Sequence, residues 1–197
     1  MALATLLSGF LLNFAIGSDL PPRTMTQLPL VFAGLFATLL VVFRCKPAIL
    51  IVPVIFLCVG AAASNKLFYS DYMARKSDSF FAQQLITAIY QKYPNFDVNS
   101  NPVYFYGSYS PINSWKIPNA DVFGHSFFEW DGGNNRRMYL YFSTANLIKF
   151  VEPNAQQVDQ SIQAAKVMAT WPARESINKV NGVVIVKLSD KLSPYNR

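Results

Sequence analysis

The chain has 197 residues, 52% of them hydrophobic and only 14% charged, where a soluble domain carries about a quarter charged residues. From Met1 to Asn65 the charged residues are Asp19, Arg23, Arg44 and Lys46, whereas from Lys66 onward charges recur every few positions; this excludes a uniformly soluble protein. The net charge of +6 is scattered, with no basic run longer than Arg136-Arg137, which gives no basis for nucleic-acid binding and suits anionic lipid headgroups or a phosphorylated substrate instead.

Three uncharged stretches come first. Met1 to Ser18 is uncharged for 18 residues, Thr24 to Phe43 for 20, and Pro47 to Asn65 for 19. A helix of about 20 apolar residues crosses the roughly 30 Å hydrocarbon layer. The pattern therefore predicts a transmembrane region over 1–65, with spans at about 2–17, 26–43 and 47–65. The first stretch ends in small residues, Ala15 to Ser18, as a signal peptide does, but lacks the positively charged start of one. Two to three transmembrane helices are expected. Arg44 and Lys46 place two positive charges in the second loop, while Asp19 and Arg23 balance in the first. The positive-inside rule then puts Arg44 and Lys46 in the cytoplasm and everything after the third span on the outer side. The two cysteines, Cys45 and Cys58, lie in this region and form no disulfide framework for the soluble part.

From Lys66 to Tyr93, Leu67, Phe68, Tyr72, Phe80, Phe81, Leu85, Ile86, Ile89 and Tyr90 recur at helical spacing. This predicts a connecting amphipathic helix and linker over 66–100, able to continue out of the third span and ended by Pro94-Asn95. Pro102 to Gly107 reads as a strand. Met138 to Phe150 reads as a helix or a strand. Asn154 to Trp171 reads as a helix with Pro153 ahead of it and Pro172 ending it. Asn181-Gly182 turns into Val183 to Leu188, a continuous apolar run expected of a strand buried on both faces. Strand, helix and strand over 101–197 predict a small α/β domain.

The densest local sequence is Asp121 to Arg137, which mixes acids, two arginines, the single His125, three glycines and four aromatics. Such a loop is a candidate binding loop. Glu129 and Asp131 form an E-x-D pair that can bind a cation or act as acid and base, or can be a polar turn with Asp131-Gly132 as its turn residues. Arg136 and Arg137 can hold a phosphate or carboxylate, or be solvated or anchor to headgroups. Trp130, Phe127 and Phe128 can stack on a sugar, insert at a membrane interface, or pack in a core. Arg23, at the expected outer boundary, can pair with a lipid phosphate or snorkel to the interface. Ser126 beside His125 has no acid–base partner nearby in sequence, which disfavours a Ser-His-Asp site. The lone His125 supports no metal centre, and no phosphate loop or dinucleotide motif is present.

The segment FGHSFFEWDGGNNRR (123–137) resembles a motif near the C-terminus of the serotype-converting O-antigen glucosyltransferases of phages and bacteria. The Pro22-Arg23 loop before a span, the positive turn at Arg44 to Lys46, and the strand-like VYFYG (103–107) agree with that resemblance. It covers essentially the whole chain and corresponds to the C-terminal portion of the family. It implies a multi-pass protein of the bacterial inner membrane with its C-terminal domain in the periplasm, and a GT-C-like enzyme that moves glucose from polyprenyl-phosphate glucose to O-antigen polysaccharide. No cofactor beyond that donor is implied. The family's catalytic acids are expected in early periplasmic loops, so this chain is expected to be catalytically incomplete alone and to partner an N-terminal half of the enzyme. Substrate-binding candidates are Glu129, Trp130, Asp131, Arg136, Arg137 and Arg23. The rival expectation is a stand-alone, membrane-anchored periplasmic binding module of prophage origin.

Overall fold

A computed structural model describes residues 28–42, 51–118, 120 and 122–196. The expected first span at 2–17 and Arg23 lie outside the described residues. The chain forms two compact units, Met1–Lys66 and Leu67–Arg197.

In the first unit, helix α1 runs over Leu28–Val42. Helix α2, Ile51–Lys92, begins in this unit. Phe32 and Phe36 of α1 hold the Phe56 ring of α2 at centroid distances of 5.3 and 5.8 Å. Among the described residues one helix, α2, is long and apolar enough to cross a bilayer, and its apolar window is not buried by protein. At 1.5 Å per residue its 42 residues extend for about 63 Å, about twice a hydrocarbon layer. The third hydrophobic stretch and the connecting helix are thus a single helix, because no Gly or Pro interrupts it between Gly60 and Pro94 and Ala61, Ala62 and Ala63 are strong helix formers.

In the second unit, three strands form one mixed sheet in the order β1-β3-β2. Strand β1 is Val103–Tyr106, β2 is Ile177–Val180 and β3 is Val183–Lys187. β1 runs parallel to the central β3, with Val103 opposite Val184. β2 is antiparallel to β3, joined by Asn181 and Gly182 at φ of 49° and 83°, the two left-handed positions of a tight hairpin turn. Helices α3, Asn135–Thr144, and α4, Ala155–Ala165, lie between β1 and β2 in the chain.

Strand alternation divides the apolar side chains between two layers. Val103, Phe105, Val184 and Val186 join Leu85 and Ile89 of α2 and Met138 and Phe142 of α3 in the larger core. Tyr104, Tyr106, Val183 and Ile185 face α4. β3 is buried at every position, as its unbroken apolar run predicts. Its Lys187 keeps a charge inside by donating to the Met168 carbonyl at 2.8 Å and pairing with Asp190 at 2.8 Å.

Several expectations are corrected. The buried face of α2 consists of Ser70, Ala74, Asp78, Phe81, Ala82, Leu85 and Ile89, whereas Phe68, Tyr72, Phe80 and Tyr90 are exposed. Small and polar residues occupy the buried stripe in its first half because that half receives a loop rather than a hydrophobic layer. α4 starts where expected, with a reciprocal capping box between Asn154 and Gln157. It ends at Ala165 rather than at Pro172, where backbone bonds tighten to the i→i+3 type at Val167 and Met168 and Lys187 takes the Met168 carbonyl. The segment 138–150 is helical only as far as Thr144. β2 carries no apolar pattern in the sequence, because Asn178 and Lys179 are exposed on an edge strand.

Candidate functional site

The loop 123–134 is held by α2. Asp78, 0% exposed, accepts from the Ser126 hydroxyl at 2.5 Å and from the Phe127 N–H at 3.0 Å. Ser126 in turn accepts from the Phe128 N–H at 3.0 Å. Burial pushes the Asp78 carboxyl above its ordinary value, against the lowering effect of these donors and of Arg75. Arg75 lies one turn before Asp78. Its Nη2 donates to Asp71 at 3.0 Å, and its Nη1 sits 3.5 Å from Asp78 Oδ2, at ion-pair range without hydrogen-bond geometry.

The guanidinium of Arg75 also covers the Phe127 ring at 4.2 Å and reaches within 5.6 Å of the Trp130 ring, while Arg137 lies 5.0 Å from Trp130. Phe127 and Trp130 are 4.9 Å apart. The result is a half-buried ladder of two cations and two aromatic faces, each contact of a kind worth about 0.5–1 kcal/mol at a solvent-accessible site. Phe128 is fully buried in the core.

The acids of the E-x-D pair serve different cations. Glu129 accepts from Lys116 Nζ at 3.0 Å and lies 3.7 Å from His125 Nδ1. Burial raises the Glu129 carboxyl, but hydrogen bonds from Lys116 and Ser110 and the charges of Lys116 and His125 together hold it below its ordinary value. Asp131 binds Arg137 Nε at 2.5 Å. Asp131, Gly132 and Gly133 have φ of 54°, 68° and 92°, so three successive left-handed residues reverse the chain here. A side chain at Gly133 would collide with the Gly107 carbonyl at the end of β1, which is why glycine is required. The C-terminal tail closes over the turn: Ser193 donates to the Asp131 carbonyl at 2.7 Å, and Asn196 donates to that of Gly133 at 2.7 Å. Arg136 is exposed and faces a separate recess of about 190 Å³ with Tyr104, Glu152 and Tyr195. Trp130, Asp131 and Arg137 therefore come together, Glu129 pairs instead with Lys116 and His125, Arg136 stands apart, and Arg23 is outside the described residues. The Ser126 hydroxyl is committed to Asp78, and His125 faces Glu129.

Beside this loop, α2 carries a second feature. Tyr72, Lys76, Phe80, Gln83, Thr87 and Gln91 follow at intervals of three and four residues, one stripe of a helix. They line two adjoining shallow recesses of about 430 Å³ each, which share Phe80 and Gln83 and include Arg75 at one end and Trp171 at the other. A further recess of about 270 Å³ continues past Gln91 and Trp171 to Lys92 and Arg174. Phe80 is 65% exposed. A groove of aromatic faces and side-chain amides offers stacking surfaces with paired donors and acceptors. In the sequence these residues read as parts of an ordinary amphipathic helix; the regular stripe of Gln, Thr and aromatics was the available signal. Among the described residues no three His, Cys, Asp or Glu side chains converge.

No protein-family model, curated protein or solved structure matches the chain.

Proposed function

We propose that the chain acts in glucosyl transfer to O-antigen at the periplasmic face of the bacterial inner membrane, as the C-terminal part of a multi-pass glucosyltransferase, and that it supplies contacts to the acceptor polysaccharide. The observation that carries the reading is the groove from Arg75 to Arg174 along α2. It is long, shallow and rich in amides and aromatics, which suits an extended chain of hydroxyl-bearing rings, and it lies on the helix whose first half is apolar enough to span a membrane. The resemblance of residues 123–137 to the serotype-converting enzymes supports the same reading.

Glu129 and Asp131 are tied to Lys116 and Arg137. In this reading they shape the loop, and the acids that handle the glucosyl donor, polyprenyl-phosphate glucose, come from other spans of the enzyme. The positive charges of Arg44 and Lys46, read by the positive-inside rule, support this periplasmic orientation.

Titration of purified O-antigen polysaccharide into the full chain in lipid nanodiscs tests the acceptor role. Saturable binding is expected, weakened about tenfold by Phe80→Ala with Gln83→Ala, from the loss of one stacking and one hydrogen-bond contact. Absence of binding to any polysaccharide favours the membrane-anchored interaction module instead.

A further inference from the structure

In the loop 109–118 two polar side chains, Asn113 and Lys116, are tied to the protein, while Ser110 and Ser114 are exposed. Asn113 Nδ2 donates to the Ser70 carbonyl of α2 at 3.0 Å and to the Gly124 carbonyl at 3.1 Å, and Lys116 Nζ donates to Glu129 at 3.0 Å. Two of its apolar residues face outward, Ile112 at 93% and Trp115 at 47% exposure, while Tyr109 stacks on Phe81 in the core. The turn that presents them is fixed by backbone N–H bonds of Trp115 to Asn113 Oδ1 and of Lys116 to the Asn113 carbonyl. The Trp115 ring meets Tyr69 edge-on at 4.8 Å, and next to it on α2 the exposed Phe68 meets Phe123 at 5.7 Å.

In water this arrangement leaves a branched aliphatic side chain and an indole solvated while amide and ammonium groups are tied down. A patch of that kind marks an interaction surface. Its position on α2 identifies what covers it. The uncharged stretch of α2 ends at Asn65, and Tyr69, which Trp115 touches, follows four residues later, about 6 Å along the helix axis. The polar layer of a bilayer is about 5–7 Å deep on each side. Phe68, Tyr69 and Trp115 therefore fall at the depth where Trp and Tyr concentrate in membrane proteins, and Lys66 is placed to reach the phosphates.

We propose that the loop 109–118 is a second membrane contact, with Ile112 and Trp115 inserted at the boundary between headgroups and acyl chains of the leaflet from which α2 emerges. The contact fixes the rotation of the domain about the helix axis, which a single helix crossing leaves free. The proposal rests on the spanning reading of α2.

The test uses the full chain, carrying one cysteine at a time, labelled with an environment-sensitive fluorophore and reconstituted into phosphatidylethanolamine–phosphatidylglycerol vesicles. The label is placed at the native Cys58 with Cys45 replaced by Ala, or at Ser114→Cys or Val167→Cys with both native cysteines replaced by Ala. Lipids carrying a nitroxide deep in the acyl chain or near the headgroup report depth. Quenching of Cys58 by the deep nitroxide shows that α2 spans. Blue-shifted emission and shallow-nitroxide quenching at Ser114, neither at Val167, and loss of both from Ser114 in the Ile112→Asp, Trp115→Ser variant are the expected results. A quenched Cys58 with an unquenched Ser114 overturns the loop contact while leaving the spanning helix intact. Quenching at Ser114 that survives the double substitution overturns it too, because the label is then the inserting group. An unquenched Cys58 overturns the spanning reading and this proposal with it.

Discussion

A carboxylate with no solvent exposure must find its partners inside the protein, and Asp78 finds the Ser126 hydroxyl, the Phe127 N–H and the Arg75 guanidinium. Asp78→Ala leaves the first two donors unpaired in a closed site, and a loss of about 3 kcal/mol is expected, measured by chemical unfolding of the unit Leu67–Arg197 within the full chain in detergent. The pH dependence has a definite sign. Burial raises the Asp78 carboxyl above its unfolded value, so the folded state holds this proton more tightly than the unfolded state. The contribution of Asp78 is fully present below the unfolded pKa of about 3.9 and is lost as pH rises through the raised folded value. Melting temperatures of the wild type relative to Asp78→Asn, which cannot titrate, should fall across that window and level off above it; a constant difference would remove the buried carboxyl as the cause. The sequence shows Asp71, Arg75 and Asp78 at helical spacing, but not that they receive a loop some fifty residues later. By contrast, the grouping of Trp130, Asp131 and Arg137 is visible as a local run because its members are close in the chain. What local sequence does not show is which cation each acid binds, since Lys116 arrives from a separate loop.

At the scale of elements, apolar runs and the prolines that bound helices are legible in the sequence, and polar edges are not. Pro153 marks the start of α4 in the sequence, and the structure adds the capping box of Asn154 and Gln157; Asn154→Ala should cost about 1 kcal/mol, read as a lowered melting temperature. Gly133 is identified in the sequence only as half of a Gly-Gly pair. Its φ of 92° and its contact with the end of β1 require glycine, so Gly133→Ala should destabilise by about 2 kcal/mol or more; a neutral effect in the same unfolding assay would show that the turn opens freely. The α2 pattern misleads in an instructive way: aromatics at positions 68, 72, 80 and 90 share helical spacing with the core residues yet face outward. Periodicity gives the helix, and the neighbouring elements decide which stripe is covered. β1 and β3 are apolar on both faces and could be read directly, whereas β2 is stabilised by its hairpin turn and pairing with β3 rather than by its own composition.

At the scale of the whole molecule, the shift at Asn65 and Lys66 from uncharged to ordinary sequence corresponds to the boundary between the two compact units at Lys66 and Leu67, with one helix running through it. Composition is a sum over many residues, which makes that division legible, whereas the groove depends on side chains that two segments distant in the chain, α2 and residues 171–177, bring together. Expression in cells that make both O-antigen and polyprenyl-phosphate glucose tests the proposed participation in glucosyl transfer. The chain is produced alone, or together with the N-terminal part of a related glucosyltransferase, and glucosylated O-antigen is scored by mass spectrometry. Glucosylation only when both are present, and lost with Phe80→Ala and Gln83→Ala, is the predicted result. No glucosylation in either case, with both proteins confirmed in the membrane, would contradict the account.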